Sequence, residues 1–359
     1  MNILFFTESG CGVAAMLVQQ YLSLKKINKS KSFAVISSEQ QQSGLIDTIK
    51  DNGDYLLLEG LEKHKNFNYH SKKLRKYIIT NEIDCVHVQT NWELILIAYT
   101  KLFLKRKIKT IYTVHSFRNH KNFVEAFVFR LLITIILFLF ADKVICTCHF
   151  LKRKFSILSY KMILLPLGVS NNYFITEPIF NDSAKISLIY PAAFRVGKNQ
   201  EMVIEAFAEY IKRSNDNEAI LYLPGSGELF ETVKELVKGK GLEKQIILPG
   251  ICSISQLKEL YAKSNIAVIA SKSETFGLCI AEPFVLGKCI LSRNVGVTQD
   301  IIVNGRNGFI FDNSDDLCEK LLYLSKDYNI IKNIGFRNFS EKSIFNWDSI
   351  MKKYIDIIS

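Results

Sequence analysis

The chain predicts an α/β protein built from two doubly wound, parallel-sheet domains. Three observations carry that expectation. Short apolar, β-branched runs such as Ile3–Thr7, Phe33–Ser37 and Asn265–Ala270 alternate with helix-length segments, the rhythm of strands buried on both faces by crossover helices. Several runs close on a Gly-containing turn or a histidine, on the side where such sheets bind ligands. At 359 residues, and about 100–200 residues per domain, two domains are expected.

In order, Ile3–Thr7 reads as a strand and Gly10-Cys-Gly-Val-Ala-Ala15 opens a helix to Leu24. Phe33–Ser37 is the second strand, and residues 39–70 are polar and carry no clear element. Ser71–Thr80 reads as a basic helix, Asp84–Val88 and Lys107–Val114 as strands, and His87 and His115 fall at strand ends. Gly10–Ala15 has the form G-x-G-x-x-A, so a nicotinamide-dependent oxidoreductase is one alternative. Against it, the nearest acid at a second strand end, Glu39, stands 29 residues on, where the fingerprint expects about 20.

Charge is unevenly placed. Residues 1–170 hold 24 Lys and Arg against 12 Asp and Glu, and the remainder holds 22 against 23. A basic half points to an anionic partner, a membrane surface or nucleic acid, or to a merely soluble basic surface. Phe123–Phe140 carries only Glu125 and Arg130, and Leu131–Ala141 is an uncharged run of 11 residues. That is short of the roughly 20 needed to span a bilayer. It reads as a buried helix or as an interfacial one beside Lys101–Lys107 and Lys152–Lys154.

The eight cysteines form no C-x-x-C pair, which favours a reducing compartment over a zinc or disulfide scaffold. His115 and His120 lack the nearby carboxylates of a metal site. The chain opens on a strand without a basic n-region, so no cleaved signal peptide is expected.

In the second half, strands are expected at Lys185–Tyr190, Leu221–Gly227, Gln245–Leu248, Asn265–Ala270 and Lys288–Ser292. Helices are expected at Met202–Ile211, Leu229–Lys238, Gln256–Lys263 and from Thr275 to Gly287. The last holds Glu274 and Glu282, eight residues apart, too far for a glycosidase pair and suited to two ends of one long ligand. The N–H groups of Phe276, Gly277 and Leu278 stand at its mouth, where phosphate binds.

This Glu274-x7-Glu282 segment resembles the donor-binding motif of the retaining family 4 glycosyltransferases of the GT-B fold, two Rossmann-like domains facing a cleft. Thr113-Val-His115, Leu165-Pro-Leu-Gly-Val-Ser170, Arg195-Val-Gly-Lys198 and Gly296–Gly308 resemble further family segments, in family order. The resemblance implies Arg195 and Lys198 on a donor diphosphate, Glu282 on the ribose, and Glu274 with Phe276, Gly277 and Leu278 beside sugar and phosphate. His115 and the Gly10–Gly12 loop would complete the site.

It implies domains at 1–170 (acceptor) and 185–341 (donor), a linker at 171–184, and a closing helix at 342–359 that crosses back onto the first domain. No cofactor or metal is implied, there being no Asp-x-Asp. The implied activity is retaining transfer from a nucleotide-diphosphate sugar, a UDP-sugar by preference, to a lipid-linked saccharide in bacterial O-antigen or capsule assembly. The enzyme would sit on the inner face of the cell membrane, without nucleic acid. A non-catalytic GT-B partner subunit is the other alternative.

Overall fold

The computed structural model describes residues 1–6, 11–27, 31–37, 49, 55–61, 66–115, 123–154, 160–181 and 185–358. The chain divides into two compact units, Met1–Gly168 with Trp347–Ser359, and Val169–Asn346.

Unit 1 contains β1 (Ile3–Phe6), α1 (Cys11–Ile27), β2 (Ser32–Ser37), β3 (Tyr55–Leu58), α2 (Phe67–Thr80) and β4 (Cys85–Val88). It continues with α3 (Asn91–Leu102), β5 (Lys109–Val114), α4 (Phe123–Phe140), β6 (Lys143–Cys146), α5 (His149–Lys154) and β7 (Met162–Leu164). The strands form one sheet in the order β3-β2-β1-β4-β5-β6-β7, and every pairing is parallel. β1 is buried along its whole length, as a central parallel strand must be. β3 is the strand the sequence leaves unassigned: an edge strand, with only Leu58 fully buried, in a polar stretch that masks its apolar signal.

Unit 2 contains β8 (Ser187–Ile189), α6 (Gln200–Ser214), β9 (Ile220–Pro224), α7 (Phe230–Gly239), β10 (Ile246–Gly250), α8 (Ile254–Lys263) and β11 (Ile266–Ile269). Then come α9 (Leu278–Val285), β12 (Cys289–Ser292), α10 (Thr298–Ile301), β13 (Phe309–Ile310), α11 (Ser314–Ser325) and α12 (Tyr328–Ser340). Its sheet runs β10-β9-β8-β11-β12-β13, again all parallel. Lys288, fully buried before β12, donates Nζ to the carbonyls of Ile179 (2.5 Å) and Ser264 (2.7 Å). Burial pushes its pKa down to about 7, the expected response of an ammonium taken from water.

The closing helix α13 (Trp347–Ile358) belongs to unit 1. Trp347, Ile350, Met351, Tyr354 and Ile358 are its buried residues, the apolar spacing of one helix face. Trp347 lies so close to Gly168 that a Cβ there would fall 2.3 Å from the indole. Lys109 Nζ donates to the Ile358 carbonyl (2.7 Å), and Lys26 pairs with Asp348 (2.8 Å).

The return to unit 1 therefore begins at Trp347, not at Lys342. Lys342–Phe345 is a 3₁₀ turn kept in unit 2 by Lys342 Nζ on the Ile175 carbonyl (2.5 Å) and by Phe345 against Phe276 and Phe284. The first boundary likewise falls at Gly168/Val169, ahead of the expected linker at 171–184. No described helix is long and apolar enough to cross a membrane.

Candidate active site

In unit 2 the strand order reverses between β8 and β11, the point where crossovers diverge and a ligand can enter. Two loops meet there. After β8 the chain runs through a 3₁₀ turn, Val196–Lys198, to Asn199 at φ 57°; after β11 it runs through Ser271 and Lys272 to Glu274. The Tyr190 hydroxyl donates to the Lys198 carbonyl (2.7 Å) and lies 2.9 Å from Ser271 Oγ. Lys272 N–H donates to the Gly197 carbonyl (2.8 Å). With the loops so joined, Lys198 Nζ donates to Glu274 Oε1 at 2.5 Å, the two side chains being 27% and 13% exposed. A pair this withdrawn from water is held more firmly than a surface bridge.

α9 begins at Leu278, not at Thr275, because Gly277 stands at φ 92° and ψ 80°, a conformation that ends the helix backwards and that glycine adopts without steric cost. The N–H groups of Phe276, Gly277 and Leu278 have no protein acceptor among the described residues, so they are open to an anion. Gly296 presses on this mouth. A Cβ there would lie 2.3 Å from the Phe276 carbonyl and 2.9 Å from Glu274 Cβ, and Val297 N–H donates to the same carbonyl (2.8 Å).

Glu282 lies within α9, half-buried. Its carboxylate has no hydrogen-bond partner among the described residues, and burial pushes its pKa up to about 8. The phenols of Tyr173 and Tyr261 are raised by burial and by this nearby carboxylate. Tyr261 is fully buried with no partner for its hydroxyl. Arg195, by contrast, is exposed and lines a cavity of about 280 Å³ with Val196, Leu229, Leu236 and Lys272, apart from Lys198, Glu274 and Glu282. The structure thus gathers Lys198, Glu274, Phe276, Gly277, Leu278 and Glu282, and leaves Arg195 on a different wall.

In unit 1, His115 follows β5. Its Nε2 is 2.9 Å from Gln89 Oε1, and Gln89 Nε2 donates to Gln20 Oε1 (3.1 Å). Gln89 N–H in turn donates to Oε2 of the buried Glu93 (2.7 Å), which also takes the Thr90 N–H (3.0 Å) in a capping box at the start of α3. In this amide orientation the His115 proton sits on Nε2 and Nδ1 keeps a lone pair. Burial pushes the imidazole down to about 4, so it is neutral.

His87, which the sequence sets at a ligand-facing strand end, is instead core. Nε2 lies 2.7 Å from Thr113 Oγ1, Nδ1 lies 3.1 Å from the Tyr354 hydroxyl, and burial lowers its pKa to about 3. Gly10 lies outside the described residues, and Gly12 is the second residue of α1. Sequence reasoning passed over Gln89, Glu93, Tyr190 and Tyr261. Of these only Glu93 carries a readable signal, the Thr90-x-x-Glu93 capping box.

Two family models match the chain, Glycosyltransferase Family 4 over residues 51–169 and Glycosyl transferases group 1 over residues 174–338. Each unit of the chain thus matches a glycosyltransferase family model. The two matches meet beside the boundary between the units. N-acetyl-alpha-D-glucosaminyl L-malate synthase of Bacillus anthracis is 28% identical over 188 residues, 50% of this chain and 47% of that protein. An uncharacterized glycosyltransferase of Methanocaldococcus jannaschii is 26% identical over 213 residues, 58% of this chain and 56% of that one. The chain thus spans about half the length of these curated relatives.

Anabaena HepE in complex with UDP superposes with a TM-score of 0.81 at 18% identity, covering 99% of both chains. The galactosyltransferase WaaB of the lipopolysaccharide outer core gives 0.75 at 13%, covering 100% of this chain and 99% of that one. These likenesses show the GT-B fold of the chain.

Proposed function

We propose that the chain transfers a sugar from a UDP-sugar to a lipid-linked saccharide, with retention of configuration and without a metal, in bacterial surface polysaccharide assembly at the inner face of the cell membrane. The observation that carries the donor half is the switch point of unit 2. There Lys198 and the carboxylate that holds it, Glu274, stand on two adjoining loops beside the amides at the mouth of α9, and within α9 lies a second carboxylate, Glu282, that has no hydrogen-bond partner among the described residues.

On this reading the diphosphate takes Lys198 and the N–H groups of Phe276, Gly277 and Leu278. The ribose diol donates to Glu282, which has no donor among the described residues. Glu274 contacts the donor sugar when Lys198 turns to phosphate, and the Arg195 guanidinium, which lines the neighbouring cavity, would have to swing across to reach the outer phosphate. The bond from the anomeric carbon to the β-phosphate oxygen breaks, and the acceptor oxygen bonds to the same face of that carbon. The acceptor proton passes to the departing phosphate, so no protein nucleophile is needed. Stabilising the phosphate charge is then the largest catalytic contribution. In unit 1, His115 Nδ1, held as an acceptor by the Gln89 contact on Nε2, is suited to take a hydroxyl of a sugar. HepE, whose structures hold UDP and UDP-glucose, supports UDP as the carrier. WaaB, named for the lipopolysaccharide outer core, supports a surface-polysaccharide acceptor.

A thermal-shift panel of UDP, GDP, ADP, UDP-sugars and NADH, run on wild type and Glu282→Ala, tests the donor site. Stabilisation by UDP and UDP-sugars that the variant loses is the expected result. A shift with NADH alone would sink the transferase, and no shift with any nucleotide would favour a non-catalytic partner subunit.

A further inference from the structure

α4 is the least explained surface of the molecule. Ile133 and Leu137 are buried, while Phe127, Val128, Leu131, Leu132, Ile135 and Leu139 are between 46% and 63% exposed. Their spacing places them along one face of the helix, and a stripe of this length on a soluble surface marks a contact.

At the C-terminal end of the stripe stand Lys161 and Lys101, the latter also paired with Asp142 (3.6 Å). Lys161 Nζ donates to the carbonyls of Phe138 (2.6 Å) and Ala141 (2.7 Å) and stands 5.5 Å and 5.8 Å from the ring centroids of Phe138 and Tyr160. Lys101 Nζ donates to the Phe140 carbonyl (3.2 Å), which brings the end of α3 alongside. There Leu102 and Phe103 are 65% and 53% exposed and are followed by exposed Lys105 and Lys107. Between residues 101 and 170 the sequence holds thirteen Lys and Arg against two acids, Glu125 and Asp142.

We infer that α4 lies flat in the surface of an anionic bilayer, its apolar face among the acyl chains and the cations at its C-terminal end among phosphate headgroups. Apolar insertion and charge attraction then act together, as in monotopic helices. Lys161, an amphipathic side chain whose Nζ stands over two aromatic rings, suits the boundary between them. A second copy of the chain is the less fitting occupant, because it would set the same cation excess against itself. The inference rests on the reading above only in that a lipid-linked acceptor explains why the enzyme should sit there.

The test is flotation of the full chain with phosphatidylcholine vesicles with and without phosphatidylglycerol. Wild type should float with the anionic vesicles and be released by high salt. The combined variant Leu131→Ser, Ile135→Ser and Leu139→Ser should partition at least about tenfold less, with its circular dichroism and melting unchanged because the three side chains are exposed. Phe127→Trp should show a blue-shifted emission on anionic vesicles alone. Equal flotation of variant and wild type, no flotation of either, or a dimer in light scattering that the triple variant dissolves would each overturn the inference. Stabilisation by UDP, measured on the same samples, reports on the donor site independently of the vesicle result.

Discussion

The two units share a strand order, with the reversal between β1 and β4 in one and between β8 and β11 in the other, yet they place opposite chemistry there. In unit 2 the reversal carries charge: Lys198 bound to Glu274, and Glu282 with no hydrogen-bond partner among the described residues. In unit 1 the histidines there are neutral, and the carboxylate beside them, Glu93, is occupied by the N–H groups of Gln89 and Thr90. His87 is sealed between Thr113 and Tyr354, and His115 ends a chain of two amides, Gln89 and Gln20. One topology thus offers an ionic seat and a neutral hydrogen-bonding one, and the side chains decide which.

The comparison breaks most sharply at Lys198. Lys198→Ala should lower turnover by about 10²–10³, the usual cost of losing one preorganised charge-stabilising group, read as UDP release in the presence of acceptor. Arg195→Ala should cost less than about tenfold, because its guanidinium is exposed and lacks the carboxylate partner that positions Lys198. A larger loss at Arg195 than at Lys198 would reverse the assignment of the ionic seat.

The loop geometry can be tested without touching charge. Gly296 and Gly305 both have positive φ, 54° and 78°, but a Cβ on Gly305 meets nothing within 4 Å whereas one on Gly296 strikes the Phe276 carbonyl at 2.3 Å. Gly305→Ala should therefore show backbone strain alone, about 1 kcal/mol by urea denaturation. Gly296→Ala should cost at least about 2–3 kcal/mol and weaken UDP binding, since relief of the clash moves the Phe276–Leu278 amides. Equal costs would mean that the mouth of α9 yields freely.

Much of this was legible in the sequence, for reasons that individual residues make plain. Ile266–Ile269 reads as a strand because a central parallel strand is apolar on both faces, and Glu274, Gly277 and Glu282 read as a helix mouth because helix-terminal chemistry is local. Lys198 was readable only through the resemblance of Arg195-Val-Gly-Lys198 to a family segment. What stayed hidden depends on contacts distant in sequence. Gln89 gains meaning only through His115 and Gln20, Tyr190 only through Lys198 and Ser271, and His87 is core only because Tyr354 returns from the far end of the chain. The edge strand Tyr55–Leu58 escaped because half-buried residues in polar surroundings give no periodic signal.

In unit 1 the amide chain makes a smaller, sharper prediction. Gln89→Leu should lower turnover about tenfold while leaving the donor KM unchanged, because it frees the His115 tautomer without touching the donor seat. The ¹⁵N shifts of His115 should move from a single neutral tautomer to a mixture. Unchanged shifts with lost activity would make Gln89 a packing residue only.

The effects of pH separate the units. His87 and His115 titrate at about 3 and about 4 when folded against 6.5 when unfolded. As pH falls from 6.5, the unfolded chain takes up protons that the folded chain refuses, so unit 1 loses stability. In unit 2, Lys288 is lowered from 10.5 to about 7, and stability falls as pH drops through that window; Glu282 is raised from 4.5 to about 8, and stability falls as pH rises through that one. Both costs are close to their full size between about pH 7 and 8, where these two groups make unit 2 weakest. Relative to wild type, Glu282→Gln should therefore gain stability progressively from pH 4.5 to 8. Lys288→Met, though destabilised by losing two hydrogen bonds, should show a flatter slope from pH 7 to 10. Urea midpoints measured across pH decide both, and parallel curves for Glu282→Gln and wild type would mean that the carboxylate is already satisfied by water, leaving the donor ribose less to gain there.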